Sequence, residues 1–146
     1  MASGGTSATH TITPVEIHFD ESGSKAVSES VGSVTIRFSH GGTQFDCVSW
    51  TTFVSKLQNV DGKGWRLCSL EAIYTRDSIT PVVPQANEKA AEKVQMMLKG
   101  GDRRESYKCI ALVLEKGGFT VGNDMPGTDD PSSVARCMKE VFEWIR

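Results

Sequence analysis

No two of the four cysteines, Cys47, Cys68, Cys109 and Cys137, stand in a CxxC pair. That spacing argues against a cysteine-held zinc or a redox dithiol and leaves buried free thiols as the expectation. No run approaches the roughly 18 consecutive apolar residues that a membrane-crossing helix needs. The opening MASGGTSATHTITP lacks the apolar core of a secretory signal. A soluble, cytoplasmic protein with no membrane partner is therefore expected. Lys and Arg number 16 against 18 Asp and Glu, giving a net charge of -2. They form no basic stripe, so nucleic-acid binding lacks its electrostatic footprint. Also missing are a phosphate-cradling GxxxxGK, a dinucleotide GxGxxG and a Ser-His-Asp order, which leaves nucleotide, Rossmann and hydrolase chemistry without support.

What is present suits one domain. The 146 residues, 38% of them hydrophobic, can build one core of useful size and not two. Residues 1–9 read as a mobile lead-in, 10–84 as a sheet and 85–146 as a helical tail. Val15, Ile17 and Phe19 alternate with polar neighbours up to a turn at Asp20 to Gly23. Lys25 to Ser39 alternates again, one face built of small residues along half its length. His40-Gly41-Gly42 turns the chain into a third strand, Thr43 to Leu57, and Asn59 to Gly64 turns it into a fourth. Short Gly-containing turns between successive strands predict an antiparallel meander.

The fourth strand, within Gly62 to Pro84, has apolar residues on both alternating faces: Trp65, Leu67 and Ile73 on one, Leu70, Ala72 and Tyr74 on the other. That pattern predicts a central strand covered on both sides, with Trp65 buried. After Pro84 the period lengthens to about 3.6. Ala86, Ala90, Val94, Met97 and Leu98 make one stripe of a helix over Asn87 to Lys99, and Gly100-Gly101 ends it. Asp102 to Glu105 has capping-box spacing ahead of a second helix, and Asp130-Pro131 opens a third.

The run Trp65-Arg66-x-x-Ser69-Leu70-x-x-Ile73-Tyr74-x-x-Asp77 leading to Pro81 and Pro84 follows a strand of the form Asp46-x-x-Ser49-x-x-x-Phe53-x-x-x-Leu57. Together with Thr9-His10-x-Ile12-x-Pro14 ahead of them, these segments resemble the SnoaL-like branch of the nuclear transport factor 2 superfamily over His10 to Pro84. The resemblance implies an α+β fold, a curved four-stranded antiparallel meander followed by about three helices, forming part of a cone. Relatives begin with helices that close the cone, and this chain starts about where those would end. The resemblance further implies a small hydrophobic ligand, a homodimer and no cofactor or metal. It implies a cofactor-free dehydration, isomerisation or cyclisation of a polyketide or terpenoid intermediate; the alternative is a non-catalytic binding or dimerisation module.

Such enzymes place one Asp, His or Tyr in an apolar cone, where burial tunes it for proton transfer. His10 stands where relatives carry a His at the cone mouth. Asp46 lies mid-strand on the face of Val48 and Trp50, and His10 and Asp46 are the catalytic candidates. Glu29, Trp50 and Tyr74 are the substrate-binding candidates. Pairing of the strand carboxylates with Arg37 or Arg66 is the competing structural account, and a packed tyrosine beside a salt-bridged Arg76–Asp77 rim is the competing account of Tyr74.

Overall fold

A computed structural model describes residues 6–84 and 87–146. The fold is α+β: four long strands, then three helices. The strands are β1 (Ser7–Phe19), β2 (Lys25–His40), β3 (Thr43–Asn59) and β4 (Trp65–Pro81), paired antiparallel in the order of the chain. Strand β1 begins before the alternation at Thr11 predicts, because β2 is long enough to offer Ser7 a partner at Arg37. Gly41 and Gly42 alone separate β2 from β3, and both take positive φ (56° and 77°), the two-residue turn whose twist matches the strands it joins. The helices are α1 (Glu88–Lys99), α2 (Lys108–Lys116) and α3 (Pro131–Phe142), the last continuing into a short 3-10 turn over Glu143–Ile145. Of the stripe expected on α1, Ala86 lies outside the described residues.

The helices cover opposite faces of the sheet at opposite ends. On the first face, near the Gly41-Gly42 turn, Ile36, Phe38, Phe45, Cys47 and Ile79 pack with Ala90 and Val94 of α1 and Cys109 to Val113 of α2. On the second face, at the far end, Val27, Val54 and Ile73 pack with Cys137 and Val141 of α3. Because β2 and β3 pair without a break, alternation puts Ile36 and Val27 on different sides of one continuous sheet. Trp144 fastens the far end: its indole N–H donates to the carbonyl of Leu57 at 3.0 Å, with the Lys25 ammonium 4.5 Å above its ring.

Two expectations are overturned here. Strand β4 is an edge strand, not a central one, and its first half is open to solvent: Trp65 is 43% exposed and Leu67 61%. Two bulges explain the misreading. Cys68 and Thr75 are extra residues against β3, and each reverses the alternation, so Leu67, Leu70, Ala72 and Tyr74 all fall on the first face. The capping box is the second correction. Helix α2 starts at Lys108 with no side-chain cap from its own segment, and Asp77 of β4 supplies the acceptor instead. By contrast α1 and α3 start as their sequences predict, under Asn87 and under Asp130 followed by Pro131.

Between α2 and α3 the chain passes around the edge of β4 at its bulge. The Tyr74 N–H donates to Pro126 O and the Thr128 N–H to Tyr74 O, both at 2.9 Å. None of the described helices is long and apolar enough to cross a membrane.

Strand β1 approaches β2 so closely at Gly32 that a Cβ there would meet the Thr11 carbonyl inside contact distance. Gly32→Ala should therefore cost about 1–3 kcal/mol, the usual range for overpacking against atoms that cannot move aside. A urea melt measures it; an unchanged midpoint would show that β1 can move away.

Candidate functional site

The part of the first face that α1 and α2 leave open is a trough. Four cross-strand rows build it: Phe19, Ala26, Leu57 and Leu67; Ile17, Ser28, Ser55 and Leu70; Pro14, Ser30, Phe53 and Ala72; Ile12, Gly32, Thr51 and Tyr74. The central strand β2 contributes Ala26, Ser28, Ser30 and Gly32, all small, and these form the floor. The edge strands contribute Ile12, Ile17 and Phe19 on one side and Leu67 and Leu70 on the other, all large, apolar and about half exposed. The six residue-to-residue steps from Ala26 to Gly32 at the strand rise run about 20 Å.

The sheet curls over this face. Strands β1 and β4 are the two edges, and in a flat sheet three strand spacings, about 14 Å, would separate them. Instead the rings of Phe19 and Trp65 meet edge to face with centroids 5.6 Å apart. That contact closes the outer end of the trough.

At the inner end, where α2 takes over the same face, the floor turns polar. Ser49 and Thr51 are buried, and neither hydroxyl has a hydrogen-bond partner. Asp77 lies opposite Ser49 across the β3–β4 ladder. Its Oδ2 accepts from the backbone N–H groups of Cys109 (2.8 Å) and Ile110 (2.9 Å), while its buried Oδ1 has no partner. Burial pushes the Asp77 carboxyl above the ordinary aspartate range, although the two backbone bonds oppose the shift. Tyr74 packs on Tyr107 with ring centroids 5.2 Å apart, and burial, followed by the Tyr107 neighbour, raises its phenol. Burial also pushes the Cys109 thiol up to about 12, so it serves as an apolar filler rather than a nucleophile. An apolar channel ending in unpartnered polar groups, one of them a carboxyl of raised pKa, can bind an apolar molecule by its body and orient it by one polar end.

The residues singled out from the sequence are dispersed. Tyr74 belongs to the inner end of the trough, and His10 stands at the β1 end of the adjoining cross-strand row of His10, Val34, Ser49 and Asp77. His10 is exposed on β1 opposite Val34. Asp46 and Trp50 do share a face with Val48, as alternation predicts, yet it is the second face, away from the trough. There Arg37 grips Asp46 through two hydrogen bonds of 2.8 Å. That partner lowers the Asp46 carboxyl, the opposite of what a proton shuttle at neutral pH requires. Trp50 lies under the Arg76 guanidinium at 4.5 Å. Glu29 accepts from the His18 ring at 2.8 Å, again on the second face. Asp77, which reads as a salt-bridged rim residue in the sequence, is the group missed. Its signal was faint: an acidic residue in a strand two positions before Ile79, with its partners 32 and 33 residues away.

The raised carboxyl has a consequence for stability. Folded Asp77 holds its proton more tightly than the unfolded chain, whose value is near 3.8. Its contribution is fully present below that value and is lost as pH rises through the folded value. Relative to Asp77→Asn, the wild-type protein should therefore lose stability as pH is raised from 4 towards neutrality. Urea melts of both proteins across that range check the sign; a difference independent of pH would place the Asp77 carboxyl in contact with water.

Compared with known proteins, the chain matches no family model and no curated protein.

Proposed function

We propose that this chain is a SnoaL-like binding module that takes a small apolar molecule, of polyketide or terpenoid size, into the trough. The observation that carries the reading is the floor of Ala26, Ser28, Ser30 and Gly32 between walls of large apolar side chains. Small residues there leave a channel that leucines would fill. The hydroxyls of Ser49 and Thr51 and the buried Oδ1 of Asp77 favour a ligand carrying one carbonyl or hydroxyl group, since a buried polar atom without a partner costs about 1–3 kcal/mol. If the module is an enzyme, a cofactor-free dehydration, isomerisation or cyclisation needs one group able to hold and release a proton near neutral pH. Asp77 suits that role better than Asp46 or His10, because it alone of the three is a carboxyl in an apolar setting.

A second reading, a non-catalytic homodimer, is favoured by the half-exposed walls. Soluble monomers seldom leave such a patch bare, and a second copy laid over Ile17, Phe19, Leu67 and Leu70 would cover it.

Titration with 2-naphthol, a compact apolar ring system bearing one hydroxyl, followed by tryptophan fluorescence separates the readings. The binding reading expects saturable one-to-one association that Ser28→Leu weakens roughly tenfold or more, equivalent to about 1.4 kcal/mol. Equal binding by both proteins, or none, would sink it. A dimer in light scattering that Leu67→Glu converts to a stable monomer, in a protein indifferent to naphthol, would establish the second reading in its place.

A further inference from the structure

On the second face, away from the trough, β1 and β2 bring together three side chains that the reading above leaves unused. Glu16 and His18 are two apart on β1 and point the same way; Glu29 of β2 lies directly opposite Glu16. The His18 Nε2 is 2.8 Å from one oxygen of Glu29 and 3.6 Å from one of Glu16. One donor atom from each of the three falls within 4.8 Å of the other two.

Two carboxylates facing each other across a ladder repel. Such pairs ordinarily recruit a lysine or arginine. Here, among the described residues, each carboxylate is within 4.0 Å of His18 and of no lysine or arginine. The pair therefore concentrates negative charge around one imidazole nitrogen. The ring is held in place from behind, with Phe142 of α3 edge-on at a centroid distance of 5.0 Å. Glu16 is 61% exposed, so the cluster is open on its outer side.

We propose that Glu16, His18 and Glu29 form a binding site for a divalent transition-metal ion of the zinc type. One nitrogen and two carboxylate oxygens are a borderline donor set suited to zinc rather than to calcium or magnesium, which prefer oxygen alone. Metal–donor distances of about 2.0–2.2 Å place tetrahedral donors about 3.3 Å apart. The His18–Glu29 and His18–Glu16 separations straddle that value, so small side-chain rotations suffice. Three protein donors leave a fourth position facing water. The Cys spacing that argues against a cysteine-held zinc says nothing about this set, which contains no sulfur.

Calorimetric titration of the full chain with zinc chloride tests the site. The expected result is one ion per chain, with affinity falling at least roughly tenfold in Glu29→Gln and in His18→Ala, and a zinc-dependent rise in melting temperature that both variants lose. Glu16→Gln alters the exposed member and guards against loss of folding; it should weaken binding while leaving the melting temperature of the metal-free protein unchanged. Cys68→Ser, which removes the exposed thiol, should bind as the wild type does. Zinc binding that survives the Glu and His changes, that disappears with Cys68, or that is missing from the wild-type chain would overturn the proposal.

Discussion

The arrangement of helices on opposite faces depends on one crossing, and the crossing depends on Arg104. After α2 the chain must leave the first face, pass the edge of β4 and begin α3 on the second. Arg104 holds that passage together. Its guanidinium makes two hydrogen bonds to Asp129 (2.9 and 2.7 Å) and two more to the carbonyls of Asn123 (3.0 Å) and Met125 (3.3 Å). Ser106 adds a third bond to Asp129 at 2.6 Å. A lysine could not reproduce this fork, since its ammonium is a point charge without the planar pair of donors. Gly127 completes the clamp. A Cβ there would collide with the Ser106 hydroxyl, and its own N–H donates to the Ser133 hydroxyl at 3.1 Å. The adjoining Asp130 caps α3, so the clamp also sets where the last helix begins.

Placing helices at opposite ends leaves two uncovered regions, and their chemistry differs. The open part of the second face carries Thr9, Thr11 and Thr13 of β1, Ser33 and Thr35 of β2, and the Arg37–Asp46 pair. These groups lose nothing by meeting water. The open part of the first face carries Ile12, Ile17, Phe19, Leu67 and Leu70, each about half exposed. Apolar surface left in water forgoes roughly 25 cal/mol for every Å² that could be buried. The asymmetry directs attention to the trough: Val31 apart, at 47% exposed, one bare region is solvated at little cost, and the other gains from being filled.

Much of the fold was legible in the sequence because its signals are local. Turn glycines marked the hairpins, Asn87 and Asp130-Pro131 marked two helix starts, and the change of period after Pro84 separated sheet from helix. Asp46 illustrates the limit. Alternation correctly placed it with Val48 and Trp50 and left Arg37 or Arg66 as its structural partner, but only the ladder register selects Arg37 and leaves that face outside the trough. Asp77 illustrates the converse: its meaning comes from two N–H groups over thirty residues away and from burial beneath α2, neither of which has a local trace. The cap that α2 lacks in its own segment was supplied across the fold, so the capping-box spacing at Asp102 to Glu105 misled.

The deepest illegible feature is the set of bulges. Val15, Cys68 and Thr75 are each one residue too many against the partner strand. An extra residue reverses which way every later side chain points. In β1 the bulge at Val15 lets Ile12 and Pro14 share a face with Ile17 and Phe19, although the numbers change from even to odd. The same reversal turns Glu16 and His18 to the opposite side, towards Glu29. In β4 the bulge at Cys68 brings Leu67 to the side of Leu70, and the bulge at Thr75 brings Tyr74 to the side of Asp77. Unbulged strands of this sequence would scatter these residues over both faces. The apolar walls and their polar inner end are therefore consequences of three inserted residues on the two edge strands, and one of them, Val15, also gathers the Glu16, His18 and Glu29 side chains on the opposite side.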